Sequence, residues 1–128
     1  MRILIADDQE DILAGFGGLL REEGHEVETA INGQEALEKI TVLSQEGRLP
    51  DFIISDDNMP RMGGLEWITA ARAREINVEF AIFSSGVVPE RWEKYEALGA
   101  KKLLIKPALL DEFLSILPKV SSKRAGGP

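Results

Sequence analysis

The sequence predicts one α/β domain, a five-stranded parallel sheet covered by helices on both faces, and three observations predict it. Short apolar runs alternate with stretches of helical periodicity along the whole chain. Most of the runs lack polar alternation, as expected of strands buried on both faces. Four of the five end on a chemically distinctive residue, so that acids, a hydroxyl and a lysine fall at strand ends.

In order, Ile3-Leu4-Ile5-Ala6 reads as a buried strand stopped by Asp7-Asp8. From Glu10 to Glu23, Ile12, Leu13, Phe16, Leu19 and Leu20 recur at helical spacing, with Gly24 as the stop. Gly15, Gly17 and Gly18 weaken this helix or mark close packing, each costing on the order of 1 kcal/mol against alanine. His25 to Ala30 alternates, as a half-exposed edge strand would. Asn32 and Glu35 stand at capping-box spacing, and Ala36, Leu37, Ile40 and Leu43 carry a helical stripe into the polar stretch Ser44 to Arg48. Asp51 to Ser55 is the central strand, and it runs directly into Asp56-Asp57-Asn58-Met59-Pro60. After Met62-Gly63-Gly64 a third helix shows Leu65, Ile68 and Ala71 as its inner face, with Trp67 at the margin. Val78 to Phe83 is a fourth strand ending in Ser84-Ser85-Gly86. Pro89 opens a helix carrying Trp92, Tyr95 and Leu98, and Gly99 closes it. Leu103-Leu104-Ile105 ends in Lys106-Pro107, and the last helix places Leu109, Leu110, Phe113, Leu114 and Leu117 on one face before Pro118. With right-handed crossovers, the flavodoxin-like strand order 2-1-3-4-5 ranks first. The domain is expected over 1–120, followed by a small, basic, flexible tail over 121–128 that reads as a linker or an appended remnant.

Composition narrows the function. The 128 residues, 44% of them hydrophobic, are enough for one core. A formal charge of -7 offers no electrostatic footprint for direct nucleic-acid binding. No apolar run reaches membrane-spanning length or resembles a signal peptide, so no membrane insertion is expected. The absence of cysteine excludes disulfides and thiolate chemistry and fits a cytoplasmic location.

Parallel strands would deliver Asp7, Asp8, Asp56, Ser84 and Lys106 to one edge of the sheet. Three carboxylates in one cleft repel one another unless a hard divalent cation offsets their charge, and Mg2+ (or Mn2+) fits an all-oxygen set. A carboxylate can then act as nucleophile toward phosphorus, with the metal and a lysine neutralising the phosphoryl oxygens and a hydroxyl such as Ser84 donating to another. Taken singly, each residue also reads as an ordinary helix start, loop or strand end; their shared position favours a site. His25, alone beside Gly24, reads as a surface residue, and Trp92 with Tyr95 as packing or part of a docking face.

Met1 to about Val120 resembles the receiver domain of two-component response regulators, of the single-domain chemotaxis type. Ile3 to Asp8 looks like that family's acidic pair, and Asp56-Asp57-Asn58-Met59-Pro60-Arg61-Met62-Gly63-Gly64 like its phosphoacceptor loop. Ser84-Ser85-Gly86 and Lys106-Pro107 complete the set in family order. The resemblance implies Asp56 as phosphoacceptor, and Asp7 or Asp8 with Asp56 and the Asn58 backbone carbonyl as magnesium ligands. It further implies Ser84 as switch hydroxyl, Lys106 as phosphoryl partner and a cis Lys106–Pro107 bond, and it leaves Asp57 out of the ligand set. The implied partners are a sensor histidine kinase or phosphotransfer protein upstream, and a downstream effector protein on the face of the fourth helix, fifth strand and fifth helix. Such a domain catalyses its own phosphorylation and dephosphorylation without turning over a separate substrate.

Two departures stand out. Leu103 occupies the strand-five position where many receivers carry a switching aromatic, and Thr41 to Leu49 is longer than in compact receivers, which implies an extended second helix or an altered docking surface. Ser85 and Gly86 leave the phosphoryl side uncrowded, so ready hydrolysis is expected. Leu103 supports a rival reading, a receiver-like scaffold that works without phosphorylation, against which the retained acids and lysine argue. A phosphohydrolase would place two acids two residues apart after the first strand, whereas Asp7 and Asp8 are adjacent.

Overall fold

A computed structural model describes residues 1–108 and 110–118. The elements are β1 (Arg2–Ala6), α1 (Glu10–Glu22), β2 (Glu26–Ala30), α2 (Gly33–Gln45), β3 (Phe52–Ser55), α3 (Gly64–Ala73), β4 (Glu79–Ser84), α4 (Pro89–Ala97), β5 (Leu103–Ile105) and α5 (Leu110–Ser115). The strands form one sheet in the order β2-β1-β3-β4-β5, all parallel, as the sequence predicts. Leu109, the Leu110 side chain and the predicted tail over 121–128 fall outside the described residues.

Period-two alternation divides the apolar strand residues between two cores. Leu4, Ala6, Ile53, Phe80 and Ile82 pack with α2, α3 and Tyr95 of α4. Ile3, Ile5, Phe52, Ile54, Ala81 and Phe83 point the other way, onto α1 and α5. There Phe16 stacks on Phe113 at 4.3 Å and Phe83 meets Phe113 edge-on at 5.1 Å. Leu13 and Leu20 of α1 are buried in this core, and complete burial of such a side chain contributes about 1.5–3 kcal/mol, which explains how the glycine-bearing α1 is held. Only Gly17 of its three glycines is buried, against Val27 and Thr29, while added Cβ atoms at Gly15 and Gly18 would meet open space.

Local signals set the boundaries. Gly24, with φ at 94°, takes the left-handed conformation that ends α1. Asn32 caps α2 by accepting the Glu35 N–H at 2.8 Å, and the Glu35 carboxylate reaches back to the Ile31 N–H at 3.1 Å, one residue before the expected partner. The second helix does extend, through Gln45.

Two inner faces depart from expectation. Trp67 is not marginal but wholly buried, because α3 is covered on more than one side and the indole N–H finds Ser55 Oγ at 3.0 Å. In α5, Ile116 just past the helix is buried with Phe113, while Leu114 and Leu117 are only partly buried. Among the described residues, no helix is long and apolar enough to cross a membrane.

Candidate functional site at the carboxyl ends of the strands

Strand pairing runs right up to the site. The backbone N–H of Asp7 donates to Ala30 O, that of Asp56 to Ala6 O and that of Lys106 to Ser84 O, at 2.8–3.0 Å. Each side chain therefore leaves a hydrogen-bonded backbone, so its position is fixed by the sheet rather than by a free loop. The cleft beyond is lined by Asp8, Gln9, Asp56, Asn58, Ser84 and Lys106, with Ser85, Gly86 and Pro107 at its wall. The Lys106–Pro107 peptide bond is cis.

Lys106 Nζ stands between two carboxylates, 2.8 Å from Asp7 Oδ2 and 3.1 Å from Asp56 Oδ2, and donates to Gln9 Oε1 at 2.8 Å. Asp56 Oδ1 accepts the Asp57 N–H at 2.7 Å, and Asp7 Oδ1 accepts the Gln9 N–H at 2.9 Å. Both Asp7 and Asp56 are buried, whereas Asp8 and Asn58 are exposed. Ser84 is buried, but its hydroxyl is turned to its own loop, donating to Gly86 O at 3.2 Å.

Burial pushes the Asp7 carboxyl above the ordinary aspartate range and the Asp56 charge adds to the effect; the hydrogen bonds from Lys106 and Gln9 offset it only in part. For Lys106, burial works against the ammonium, but the hydrogen bonds to Asp7 and Asp56 and their charges outweigh it, and its pKa is raised. The ion pair thus holds its lysine charged, while burial still outweighs it at Asp7 and pushes that carboxyl toward neutrality. The asymmetry follows depth, since the Asp7 side chain is 2% exposed and that of Lys106 13%. Asp7, Asp8 and Asp56 each bring a carboxylate oxygen to within 4.8 Å of the others. Hard oxygen donors at this spacing, with a carboxyl that resists ionisation in their midst, fit a small divalent cation.

The neighbouring loop explains the glycines before α3. The N–H of Gly64 donates to Asp57 O at 2.8 Å, and a Cβ on Gly64 would stand 2.6 Å from Tyr95 Oη and closer still to the Asp56 carbonyl. Only glycine allows that approach. Arg61, in a left-handed conformation at φ 69°, turns the chain toward it.

Of the residues picked out in the sequence, Asp7, Asp8, Asp56 and Lys106 come together, Asn58 and Ser84 border the cleft, and Asp57 lies outside it. Sequence reasoning passed over Gln9, which holds Lys106, and a network around Asp57. Arg91 meets Asp57 through Nε at 3.1 and 3.2 Å and through Nη2 at 2.6 Å, and also pairs with Glu66 at 3.1 Å. The Tyr95 hydroxyl donates to Asp57 Oδ1 at 2.6 Å. Arg91 and Tyr95 stand four residues apart on one helix face, and that spacing was the available signal.

The fold and the cleft define a class: a doubly wound parallel α/β domain whose strands present acids and a lysine at their carboxyl edge. The profile of the response regulator receiver domain matches residues 3–117, and the chain belongs to that family, the receiver domains of two-component systems. The transcriptional regulatory protein PrrA of Mycobacterium tuberculosis is 38% identical over 124 residues, covering 96% of this chain and 51% of that protein. The chain thus spans about half the length of PrrA. The chemotaxis protein CheY of Treponema pallidum is 30% identical over 121 residues, covering 91% of this chain and 82% of CheY. Among solved structures, CheY4 of Vibrio cholerae superposes with a TM-score of 0.77 at 34% identity, covering 89% of this chain and 92% of CheY4. A CheY-like receiver domain from Methanospirillum hungatei gives 0.79 at 28% identity, covering 89% and 87%.

Proposed function

We propose that this receiver domain takes a phosphoryl group onto Asp56 and thereby switches the binding of an effector protein. The donor is the phosphohistidine of a sensor histidine kinase or phosphotransfer protein, or a small phosphodonor such as acetyl phosphate. An Asp56 oxygen attacks phosphorus, the bond to the donor nitrogen or acyl oxygen breaks, and the leaving imidazole or acetate departs with the bonding electrons. The observation that carries this reading is Lys106 Nζ, 3.1 Å from Asp56 Oδ2, because an ammonium there neutralises charge on the incoming phosphoryl oxygens.

Asp7, Asp8 and Asp56 would hold Mg2+ or Mn2+, with the Asn58 backbone carbonyl as a further ligand. When bound, the cation supplies Lewis-acid neutralisation of the carboxylate and phosphoryl charge. The Asp57 N–H orients the acceptor carboxylate. Gln9 holds Lys106 over the cleft. Ser84 would exchange its bond to Gly86 O for one to a phosphoryl oxygen, drawing in the β4–α4 loop and shifting the population of the α4–β5–α5 face that the effector reads. Leu103, half-buried on β5, leaves that shift without an aromatic rotamer change.

Intact mass after incubation with acetyl phosphate and Mg2+ tests the reading. Wild type should gain one phosphoryl group and Asp56→Asn none; equal gain in both proteins would remove Asp56 from the acceptor role.

A further inference from the structure

We infer that Asp57, Arg91 and Tyr95 tie the position of α4 to the charge on Asp56, with Arg91 as the positioning residue. This rests on the reading of Asp56 as phosphoacceptor.

α4 is thinly anchored by apolar packing. Tyr95 is its one buried side chain, with Trp92 partly packed against the same core. Its polar anchor is Asp57. That carboxylate is 10% exposed and takes both the Tyr95 hydroxyl and a forked contact from Arg91, which also grips Glu66 of α3. Arg91 and Glu66 reinforce each other. The two carboxylates hold the guanidinium firmly charged, and Arg91 in turn lowers the Glu66 pKa.

The other end of Asp57 is tied to the acceptor. Its N–H donates to Asp56 Oδ1 and its carbonyl accepts from Gly64 at the start of α3. One residue therefore touches the acceptor carboxylate with its backbone and α4 with its side chain. The clefts also adjoin, since Asn58 and Gly86 border both the one that holds Asp56 and the one that holds Asp57 and Arg91.

An aspartyl phosphate carries more negative charge than the carboxylate it replaces. It repels the Asp57 carboxylate and attracts Arg91, and both effects loosen the Asp57–Arg91 pair that holds α4. This route runs through the α3–α4 side of the sheet. It needs neither the Ser84 hydroxyl nor an aromatic residue at Leu103.

The chain has two tryptophans, so 15N labelling gives two indole signals, one for each end of the route. The Trp67 N–H is bonded to Ser55 Oγ, which donates to Asp56 O at 2.8 Å. Trp92 lies on α4 with its ring 6.0 Å from Tyr95. Wild type, Arg91→Gln, Arg91→Lys and Tyr95→Phe are compared with and without acetyl phosphate and Mg2+, with phosphorylation read by intact mass. In wild type both signals should move. In Arg91→Gln, phosphorylated to the wild-type extent, the Trp67 shift should persist and the Trp92 shift should fall about twofold or more, as expected when a coupling of the usual size is lost. Arg91→Lys should restore part of it, and Tyr95→Phe should reduce it. A Trp92 signal that does not move in phosphorylated wild type, or that moves equally in wild type and Arg91→Gln, overturns the inference and leaves the acceptor assignment intact. Absence of phosphoryl gain in wild type overturns both.

Discussion

Asp56 and Asp57 are consecutive carboxylates at one strand end, yet they meet opposite conditions. Asp56 faces an open cleft where one ammonium is shared between it and Asp7. Asp57 is closed in by a guanidinium and a phenol within hydrogen-bond distance. Among the described residues, no buried side-chain nitrogen or oxygen lacks a partner, so the contrast is one of charge rather than of missing bonds. The open side keeps uncompensated negative charge, which costs stability and is compatible with a bound cation. On the closed side the buried Asp57 charge is met directly by Arg91, whose second carboxylate partner, Glu66, is half-exposed to water, and the cluster serves to hold two helices against the sheet.

Substitutions on the two sides should therefore differ in kind. The largest effect on phosphoryl transfer is expected on the open side: Lys106→Ala should slow phosphoryl uptake from acetyl phosphate by about 100-fold, read as a time course of intact mass. An unchanged rate would mean that Lys106 only pairs the acids. On the closed side, Trp67→Ala should cost about 3–5 kcal/mol by urea unfolding, because it empties a fully buried site.

Asp7→Asn should reverse the sign, raising stability by about 1 kcal/mol in the absence of divalent cations while weakening Mg2+ binding. The raised pKa of Asp7 means that the folded state holds this proton more tightly than the unfolded chain. The ionised form therefore counts against folding, and its contribution worsens as pH rises from the ordinary aspartate range through the raised folded value. A destabilised Asp7→Asn would show instead that the pair with Lys106 dominates.

Glu66→Gln should be the mildest, costing about 0.5 kcal/mol or less, since the pair with Arg91 is half-exposed and screened. Hydrogen bonding to Arg91 lowers the Glu66 pKa, so this contribution is full above the ordinary glutamate range and disappears as pH falls through the depressed folded value. A carboxyl NMR titration of wild type beside Arg91→Gln checks it, with the Glu66 midpoint moving up in the variant.

The same contrast explains what the sequence could reveal. The open side was legible because parallel strands bring their carboxyl ends to one edge, so Asp7, Asp56, Ser84 and Lys106 could be gathered from four separate runs. The closed side was not. The partner of Asp57 lies 34 residues along the chain, on a helix whose composition looks solvated, and an arginine on such a helix reads as surface charge. Trp67 was misplaced for a related reason: the stripe Leu65, Ile68, Ala71 defines one buried face, and a helix covered on further sides shows no stripe for the rest. Gly64 was visible as part of a loop, but its role depends on the Asp56 carbonyl and the Tyr95 hydroxyl, which meet it only in the folded chain.

Two adjacent carboxylates in such different surroundings invite one direct measurement. An aspartyl phosphate is reduced by borohydride to homoserine, and peptide mass mapping locates the converted residue. After acetyl phosphate and Mg2+, conversion at Asp56 with Asp57, Asp7 and Asp8 intact is the predicted result. Conversion at Asp57, or at either acid of the first strand, would contradict the division of labour between the two sides of this strand end.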